Sequence, residues 1–244
     1  MFEIDEIKRI IDEAQNIVFF GGAGVSTDSG IPDFRGNGGI YTDADEFSER
    51  PETILSGSYL LGRPDAFYRY YKSNMLYPYA EPNDAHLALA ALEKRGKLSA
   101  VITQNIDGLH QAAGSKNVIE LHGTVHKNYC VRCGKIYGLD HVLESDGVPR
   151  CDKCRGLVRP DVVLYGESLD NDAFFRAEDA IADADVLIVG GTSLTVQPAA
   201  SLVDVFGGEH LIIINRSATP YDDFAEFVIR DSISDVLSQL VDFE

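Results

Sequence analysis

The chain of 244 residues has four cysteines, arranged as two Cys-x-x-Cys pairs, Cys130/Cys133 and Cys151/Cys154, with 17 residues between the pairs (134 to 150). A two-residue gap lets both thiolates of a knuckle face one tetrahedral ion, so the spacing predicts a single zinc site. The alternative, two redox-active dithiols, would usually place such a motif at the start of a helix after a strand. Four thiolates complete the coordination of zinc, which makes the metal structural and leaves His126, four residues before Cys130, surplus as a ligand.

A second stretch able to do chemistry is GGAGVSTDSGIPDFRG, residues 21 to 36. It follows the apolar run NIVFF, and a strand that ends in Gly22-Ala23-Gly24 matches the first turn of a dinucleotide-binding fold, where glycines let backbone N–H groups approach a pyrophosphate. The match is imperfect. Thr27 stands where a third glycine is expected, the next glycine is Gly30, and no second strand ends in an acid about twenty residues on. Pro32 stiffens the chain, and Asp33, Phe34 and Arg35 follow without helical or strand period. One acid, one ring and one guanidinium could grip a cofactor, and a solvated loop with an internal Asp33–Arg35 pair is the other reading.

TQNIDGLHQAAG follows the apolar run LSAVIT (98 to 103), and HGTVH follows NVIEL (117 to 121). The crevice outside the carboxyl ends of strands is where open α/β sheets hold ligands, so Gln104, Asn105, Asp107 and His122 are expected to converge there. GGTSLTVQPA (190 to 199) and INRS (214 to 217) follow two more strands in the same way, with small hydroxyl residues suited to a ribose or phosphate and Asn215 to a ribose or adenine edge. His110 and His122 both lie in strand-end loops, and position alone does not choose between them as the general base for a ribose hydroxyl.

Positioning these loops requires a particular scaffold. Ile4, Ile7, Ile10, Ile11 and Ala14 repeat at helical spacing before NIVFF, and further apolar runs are DVLIVGG (185 to 191), HLIIIN (210 to 215) and AEFVI (225 to 229). Helical stretches intervene: NDAHLALAALEKRG (83 to 96), opened by a capping Asn or Asp and closed by Gly96, then NDAFFRAEDAIADA (171 to 184) and SISDVLSQLV (232 to 241). Near-continuous Val/Ile/Leu strands alternating with helices predict an α/β fold with a parallel sheet covered on both faces. Two stretches break the rhythm, 37 to about 83, rich in Tyr, Phe, Pro and Gly, and about 126 to 157, which carries the cysteines. Both read as insertions into one α/β domain.

Composition narrows the function classes. With 39 acidic and 21 basic side chains the formal charge is −18, which would repel a phosphate backbone, so nucleic-acid and anionic-membrane binding are disfavoured and a lysine-rich partner is favoured. No run reaches the ~18 apolar residues of a membrane helix. The start, MFEIDEIKRI, is acidic and helical where a signal peptide would be basic and then apolar, so an intracellular, soluble protein is expected.

Taken together, GAGVSTDSGIPDFRG, TQNIDGLH, ELHG, the paired Cys-x-x-Cys, RPDVVLYGE (159 to 167), GTSLTVQPA and IN (214 to 215) appear in the order of the sirtuin family, and the chain resembles its small prokaryotic members, NAD-dependent protein-lysine deacetylases. The resemblance implies a Rossmann-like NAD-binding domain (1–36, 84–125 and 158–244) and a smaller domain made of a helical insert (37–83) and a zinc ribbon (126–157), with NAD and acyl-lysine meeting between them. It also implies that His122 is the general base and that Asn105 and Asp107 serve the ribose and nicotinamide side. By the same resemblance Gly22, Ala23, Gly24, Thr27, Gln104, Gly191, Thr192, Ser193, Asn215 and Ser232 contact NAD, Asp33 and Phe34 flank nicotinamide, and Arg35 lies near the phosphates. An extended substrate would pair with the segment of Val162, Val163, Tyr165, Gly166 and Glu167.

In the family's chemistry the acyl oxygen attacks the ribose carbon as nicotinamide leaves. His122 then takes a proton from a ribose hydroxyl, and free lysine and O-acyl-ADP-ribose follow. Tyr165 stands where Phe is commoner. No Tyr-x-x-Arg pair follows the glycine loop, since Tyr41 and Arg50 are nine apart and Phe47-Ser48-Glu49-Arg50 offers only a phenyl ring. A neutral acyl group such as acetyl is therefore expected over succinyl or malonyl. A cytoplasmic location, a monomer and no direct nucleic-acid partner are further expectations. The rivals are a non-catalytic NAD-binding adapter and transfer of ADP-ribose to a protein.

Overall fold

The strand β1 (Ile17–Gly21) shows how the sequence builds the scaffold. All five of its residues are buried, and alternate side chains enter different cores: Ile17 and Phe19 join one apolar cluster, Val18 and Phe20 the other. A strand covered on both faces has no polar side to show, which is why it reads as an unbroken apolar run. This description of the computed structural model covers residues 2–33 and 49–242.

Along the described chain, α1 (Phe2–Glu13) precedes β1, and α2 (Pro51–Ile54), α3 (Gly57–Gly62) and α4 (Pro64–Asn74) precede α5 (Asp84–Lys94). Then come β2 (Leu98–Thr103), α6 (Leu109–Ala112), β3 (Val118–Glu120), β4 (Gly123–Cys130), β5 (Ile136–Tyr137), α7 (Leu139–Leu143) and β6 (Val158–Val162). The final elements are α8 (Asn171–Ala182), β7 (Val186–Gly190), β8 (His210–Ile214), β9 (Phe227–Ile229) and α9 (Ile233–Leu240). Asn83 caps α5 by accepting from the Ala85 N–H, as the sequence predicts, and Asp170, just before the predicted helical stretch, caps α8 by accepting from the Ala173 N–H.

Six strands form one parallel sheet in the order β3-β2-β1-β7-β8-β9. The chain runs outward from β1 to β3, then returns to the other side of β1 and runs outward again, so the topological switch point lies between β1 and β7. Helices α1, α5 and α9 cover one face through Ile7, Ile10, Leu89, Leu92, Val236 and Leu237, and α8 covers the other through Ala177 and Ile181. The fold is α/β and Rossmann-like.

A second, three-stranded antiparallel sheet has the order β5-β4-β6. The helices α2 to α4 pack against it through a third cluster in which Ile54, Leu60, Phe67, Tyr68 and Tyr71 meet Val125, Val142, Val162 and Leu164. Tyr68 donates its hydroxyl to the Val158 carbonyl at 2.5 Å. The two inserted stretches thus meet each other in space.

One polar pair sits inside the larger body. His86 on α5 and His110 on α6 are buried with ring centroids 4.7 Å apart. Burial holds His86 down at about 4 and His110 at about 3, the latter also lowered by its neighbour, while the nearby Asp107 carboxylate pulls His86 upward. Their folded values lie below the unfolded value of about 6.5, so the native state holds them neutral. Their contribution is complete above about pH 6.5 and declines as pH falls toward the folded values, by up to about 1.4 kcal/mol per unit for each group. We expect the urea midpoint to be lower at pH 5 than at pH 7, and the difference to shrink in His110→Gln; parallel pH profiles for the two proteins would contradict this assignment.

Candidate functional site

The ends of β1 and β7 approach so closely that no side chain fits between them. The Gly24 N–H donates to the Gly191 carbonyl at 2.8 Å and the Gly22 N–H to that of Gly190 at 3.2 Å. A Cβ on Gly24 would lie 2.7 Å from the Gly191 Cα, and Gly191 itself has φ +60°. Glycine is required at both positions by sterics and at the second by backbone conformation as well. The loops leaving these strands, together with those after β2, β3 and β8, enclose a cavity of about 740 Å³.

Ala23, Gly24, Thr27 and Asp33 from the first loop line this cavity, as do Gln104, Asn105 and Asp107 after β2, His122 after β3, Gly191, Thr192 and Ser193 after β7, Asn215 after β8, and Ser232 at the start of α9. Val162, Val163, Tyr165, Gly166 and Glu167 line it from the opposite side. Gly22 is not part of the lining; it lies against Thr192, whose Cβ would be 2.9 Å from an added Cβ. Phe34, Arg35, Tyr41 and Phe47 lie outside the described residues.

The polar groups form short chains. Asn105 Nδ2 donates to Ser26 Oγ at 3.0 Å, and that hydroxyl donates to Asp107 Oδ2 at 2.7 Å, while Asp107 Oδ1 accepts from the Leu109 N–H at 2.9 Å. Ser26 is buried and joins two residues on which the sequence reading depends, yet that reading passed over it. Its hydroxyl follows Gly24 by two, but three hydroxyl residues crowd this loop and only the fold tells which turns inward. Ser232 donates to Asp28 at 2.7 Å, joining the start of α9 to the first loop.

The tie between His110 and His122 is broken by geometry. His110 is buried away from the cavity, whereas His122 lines it. His122 Nδ1 lies 2.9 Å from the Gln104 carbonyl. A carbonyl can only accept, so Nδ1 carries the proton and Nε2 of the neutral ring keeps its lone pair. Burial lowers the pKa of His122, opposed by the hydrogen bond to Gln104. Gln104 is itself fixed, with its N–H on the Gly21 carbonyl and its side-chain amide 3.3 Å from Thr192 Oγ1. His126 Nε2 sits 2.8 Å from the Asp107 carbonyl, so it braces the loop after β2 and is directed away from ligand duty at the cysteines.

On the facing wall the Val163 N–H donates to the His122 carbonyl at 2.9 Å, and Tyr165 pairs with the helical segment through its N–H to Leu55 and its carbonyl to Gly57. Glu167 lines the cavity, but its carboxylate is held by Arg159, at 2.6 and 2.9 Å.

The four cysteine sulfurs lie within 4.8 Å of one another. Separations of 3.4 Å for Cys130–Cys154 and 3.6 Å for Cys133–Cys151 are far beyond a disulfide and approach the about 3.8 Å edge of a tetrahedron with Zn–S bonds of about 2.3 Å. The Tyr137 hydroxyl donates to Cys151 Sγ at 3.1 Å, and the Arg132 N–H to Cys130 Sγ at 3.4 Å. The donor set fits a structural zinc, with no position left for a reacting ligand.

The Sir2 family matches residues 22–198. This chain belongs to the Sir2 family. Among its Sir2 relatives, the "NAD-dependent protein deacetylase" of Clostridium perfringens is 54% identical, over 98% of this chain and 99% of that protein. The protein of the same name from Clostridium acetobutylicum is 52% identical over 98% of both. A solved structure described as Sir2 with p53 peptide and NAD+ superposes with a TM-score of 0.86 at 42% identity, covering 97% of this chain and 96% of that one. One described as Sir2 bound to acetylated peptide gives 0.87 at 40% identity over the same shares.

Because metal binding at a four-thiolate ribbon is coupled to its folding, Cys151→Ser should lose bound zinc, from about one ion per chain to a small fraction of that, and loosen the smaller sheet. Elemental analysis with thermal unfolding checks this, and a variant with normal zinc content and unchanged melting would contradict it.

Proposed function

We propose that this chain removes acetyl, or another neutral acyl group, from lysine side chains of proteins, with NAD as co-substrate and nicotinamide, O-acyl-ADP-ribose and free lysine as products. The observation that carries this reading is His122, which lines a cavity shared with the glycine loop and an extended segment, its Nδ1 held by the Gln104 carbonyl so that Nε2 keeps its lone pair. The full-length similarity to proteins named NAD-dependent protein deacetylase supports it.

Ala23 and Gly24 line the cavity with little side-chain bulk, on a loop whose Gly24 N–H is anchored to the Gly191 carbonyl, and such a loop suits close approach of a pyrophosphate. Thr27, Asp33, Phe34, Arg35, Gln104, Gly191, Thr192, Ser193, Asn215 and Ser232 would complete the hold on NAD. Bound NAD supplies an activated ribose carbon with nicotinamide as its leaving group. Asn105 and Asp107, fixed through Ser26, orient that end of the cavity, and the carboxylate favours a cationic ring beside it. His122 Nε2 accepts the proton of a ribose hydroxyl, and the Gln104 carbonyl stabilises the imidazolium through Nδ1–H. Val162, Val163, Tyr165, Gly166 and Glu167 border the acyl-lysine, whose extended backbone adds to the segment by main-chain pairing.

The division into a domain of 1–36, 84–125 and 158–244 and a smaller one of 37–83 and 126–157 belongs to the same reading. So do a monomeric state, a cytoplasmic location and the absence of a nucleic-acid partner; among the described residues no helix is long and apolar enough to cross a membrane.

Incubating the pure protein with an acetyl-lysine peptide and NAD should release nicotinamide and deacetylated peptide. His122→Ala should lower turnover roughly 10²- to 10⁴-fold while sparing NAD binding, and near-wild-type turnover would refute the role of His122. Since burial lowers the His122 pKa, its neutral form persists below the ordinary histidine value of about 6.5, and the acid limb of the wild-type rate should lie below that pH. Label from NAD appearing on the protein acceptor instead of in a small acyl product would favour ADP-ribosyl transfer.

A further inference from the structure

Arg159 stands on β6, opposite Tyr129 of β4, where the strand register turns it toward the segment that follows. Its guanidinium makes four hydrogen bonds: Nη1 to Glu167 Oε1 at 2.6 Å, Nη2 to Glu167 Oε2 at 2.9 Å, Nη2 to the Val162 carbonyl at 3.0 Å and Nε to the Pro160 carbonyl at 3.2 Å. Its carbon lies 5.7 Å from the centre of the Tyr129 ring. The pair is largely withdrawn from water, with side-chain exposures of 15% for Arg159 and 29% for Glu167. A fork of this kind, stacked and engaged on both arms, fixes geometry as well as charge.

Glu167 does more than accept the fork. Its Oε2 takes the Leu164 N–H at 3.0 Å while its own N–H donates to the Leu164 carbonyl at 2.9 Å, so the carboxylate closes the turn from Leu164 to Glu167 on itself. Gly57 lies against this carboxylate, and a Cβ there would sit 2.7 Å from Oε1. The turn holds Tyr165 where it pairs with Leu55 and Gly57. The turn is therefore tied at Glu167 to Arg159 of β6, and at Tyr165 to the helical segment.

We propose that Arg159 and Glu167 are a positioning pair for the substrate segment: the guanidinium holds the carboxylate, and the carboxylate sets the backbone of residues 162–167 to receive an extended peptide. The proposal rests on the reading that a substrate pairs with this segment. It assigns to Glu167 a role made through Arg159 and the Leu164 amide, and to Arg159, which does not line the cavity, an influence on peptide recognition.

Two variants test it. Arg159→Lys keeps the charge but cannot serve Glu167, Val162 and Pro160 together, and Arg159→Met keeps only the stem. Turnover measured with peptide and NAD varied separately should show the peptide KM rising roughly tenfold in Arg159→Lys and further in Arg159→Met, with the NAD KM and kcat within about twofold of wild type. A merely structural role would move all three together. Amide hydrogen exchange on the same proteins should show residues 163–167 exchanging about tenfold faster, with β1 and β7 unchanged. An unaltered peptide KM, or equal losses for peptide and NAD, would overturn the proposal. Should the wild type lack turnover, the proposed function fails, and exchange alone decides the pair: unchanged protection of 163–167 in Arg159→Lys overturns it, even if Arg159→Met does not fold.

Discussion

The contact of Gly24 with Gly191 is the constraint on which the site rests. Two parallel strands end side by side at the switch point, and their chains continue within 2.8 Å of each other because neither carries a side chain there. This close approach leaves peptide without side chains where the two strands meet, and because the Gly22 and Gly24 N–H groups are held by the Gly190 and Gly191 carbonyls, its dipoles are fixed before any ligand arrives. A larger residue at either position would drive the two loops apart. Gln104 extends the same constraint sideways, since one residue touches β1 through its N–H, the loop after β7 through its amide and His122 through its carbonyl. The histidine ring is thereby oriented by the switch point itself.

Around that junction, the site divides its work between the two sheets and the loops that leave them. The larger one supplies the glycine cradle, the Asn105–Ser26–Asp107 chain and His122. The smaller one supplies an extended wall, kept in place by Arg159 from the ribbon sheet and by Leu55 and Gly57 from the helices. Cys130 ends β4, the strand paired with the β6 that carries Arg159, and the other three cysteines lie in the loops beyond, so the cluster braces the sheet from which this wall leaves. Such an arrangement relies on positioning and preorganised charge and asks no protein side chain to become covalently linked.

Much of this was legible in the sequence because parallel strands are buried on both faces. IVFFG, LSAVIT, VLIVG and HLIII read as strands since their apolar runs are nearly unbroken, with Ser99 the one polar residue inside a run, and the loops after them carry the candidate site residues. Edge strands were read longer than they are: NVIEL forms only Val118–Glu120 and AEFVI only Phe227–Ile229, as pairing on one side leaves their ends unsupported. The antiparallel ribbon was legible only through its cysteines. GTVHKNYC has neither alternation nor an apolar run, because β4 is bent by a register irregularity between Thr124 and Asn128 and its faces change partners. Ser26 and Arg159 escaped notice because each acts through a partner distant in sequence, Ser26 through Asp107 and Arg159 through a tertiary turn. The two strand-end histidines could not be separated without knowing which way α6 turns His110.

The union of the two inserted stretches has a bearing on how the chain assembles. Tyr68 meets Val158 across 90 residues of chain, and bringing such ends together costs on the order of 4 kcal/mol in loop entropy for a free chain. Much of the intervening chain, α5 through β3, belongs to the large sheet, so once β1, β2 and β3 are aligned the effective loop is far shorter. The aromatic cluster of Phe67, Tyr68 and Tyr71 thus closes at a smaller entropic cost onto a frame already built than onto a free chain, and the segment after β6, which packs on this cluster through Val162 and Leu164, shares that dependence on the large sheet.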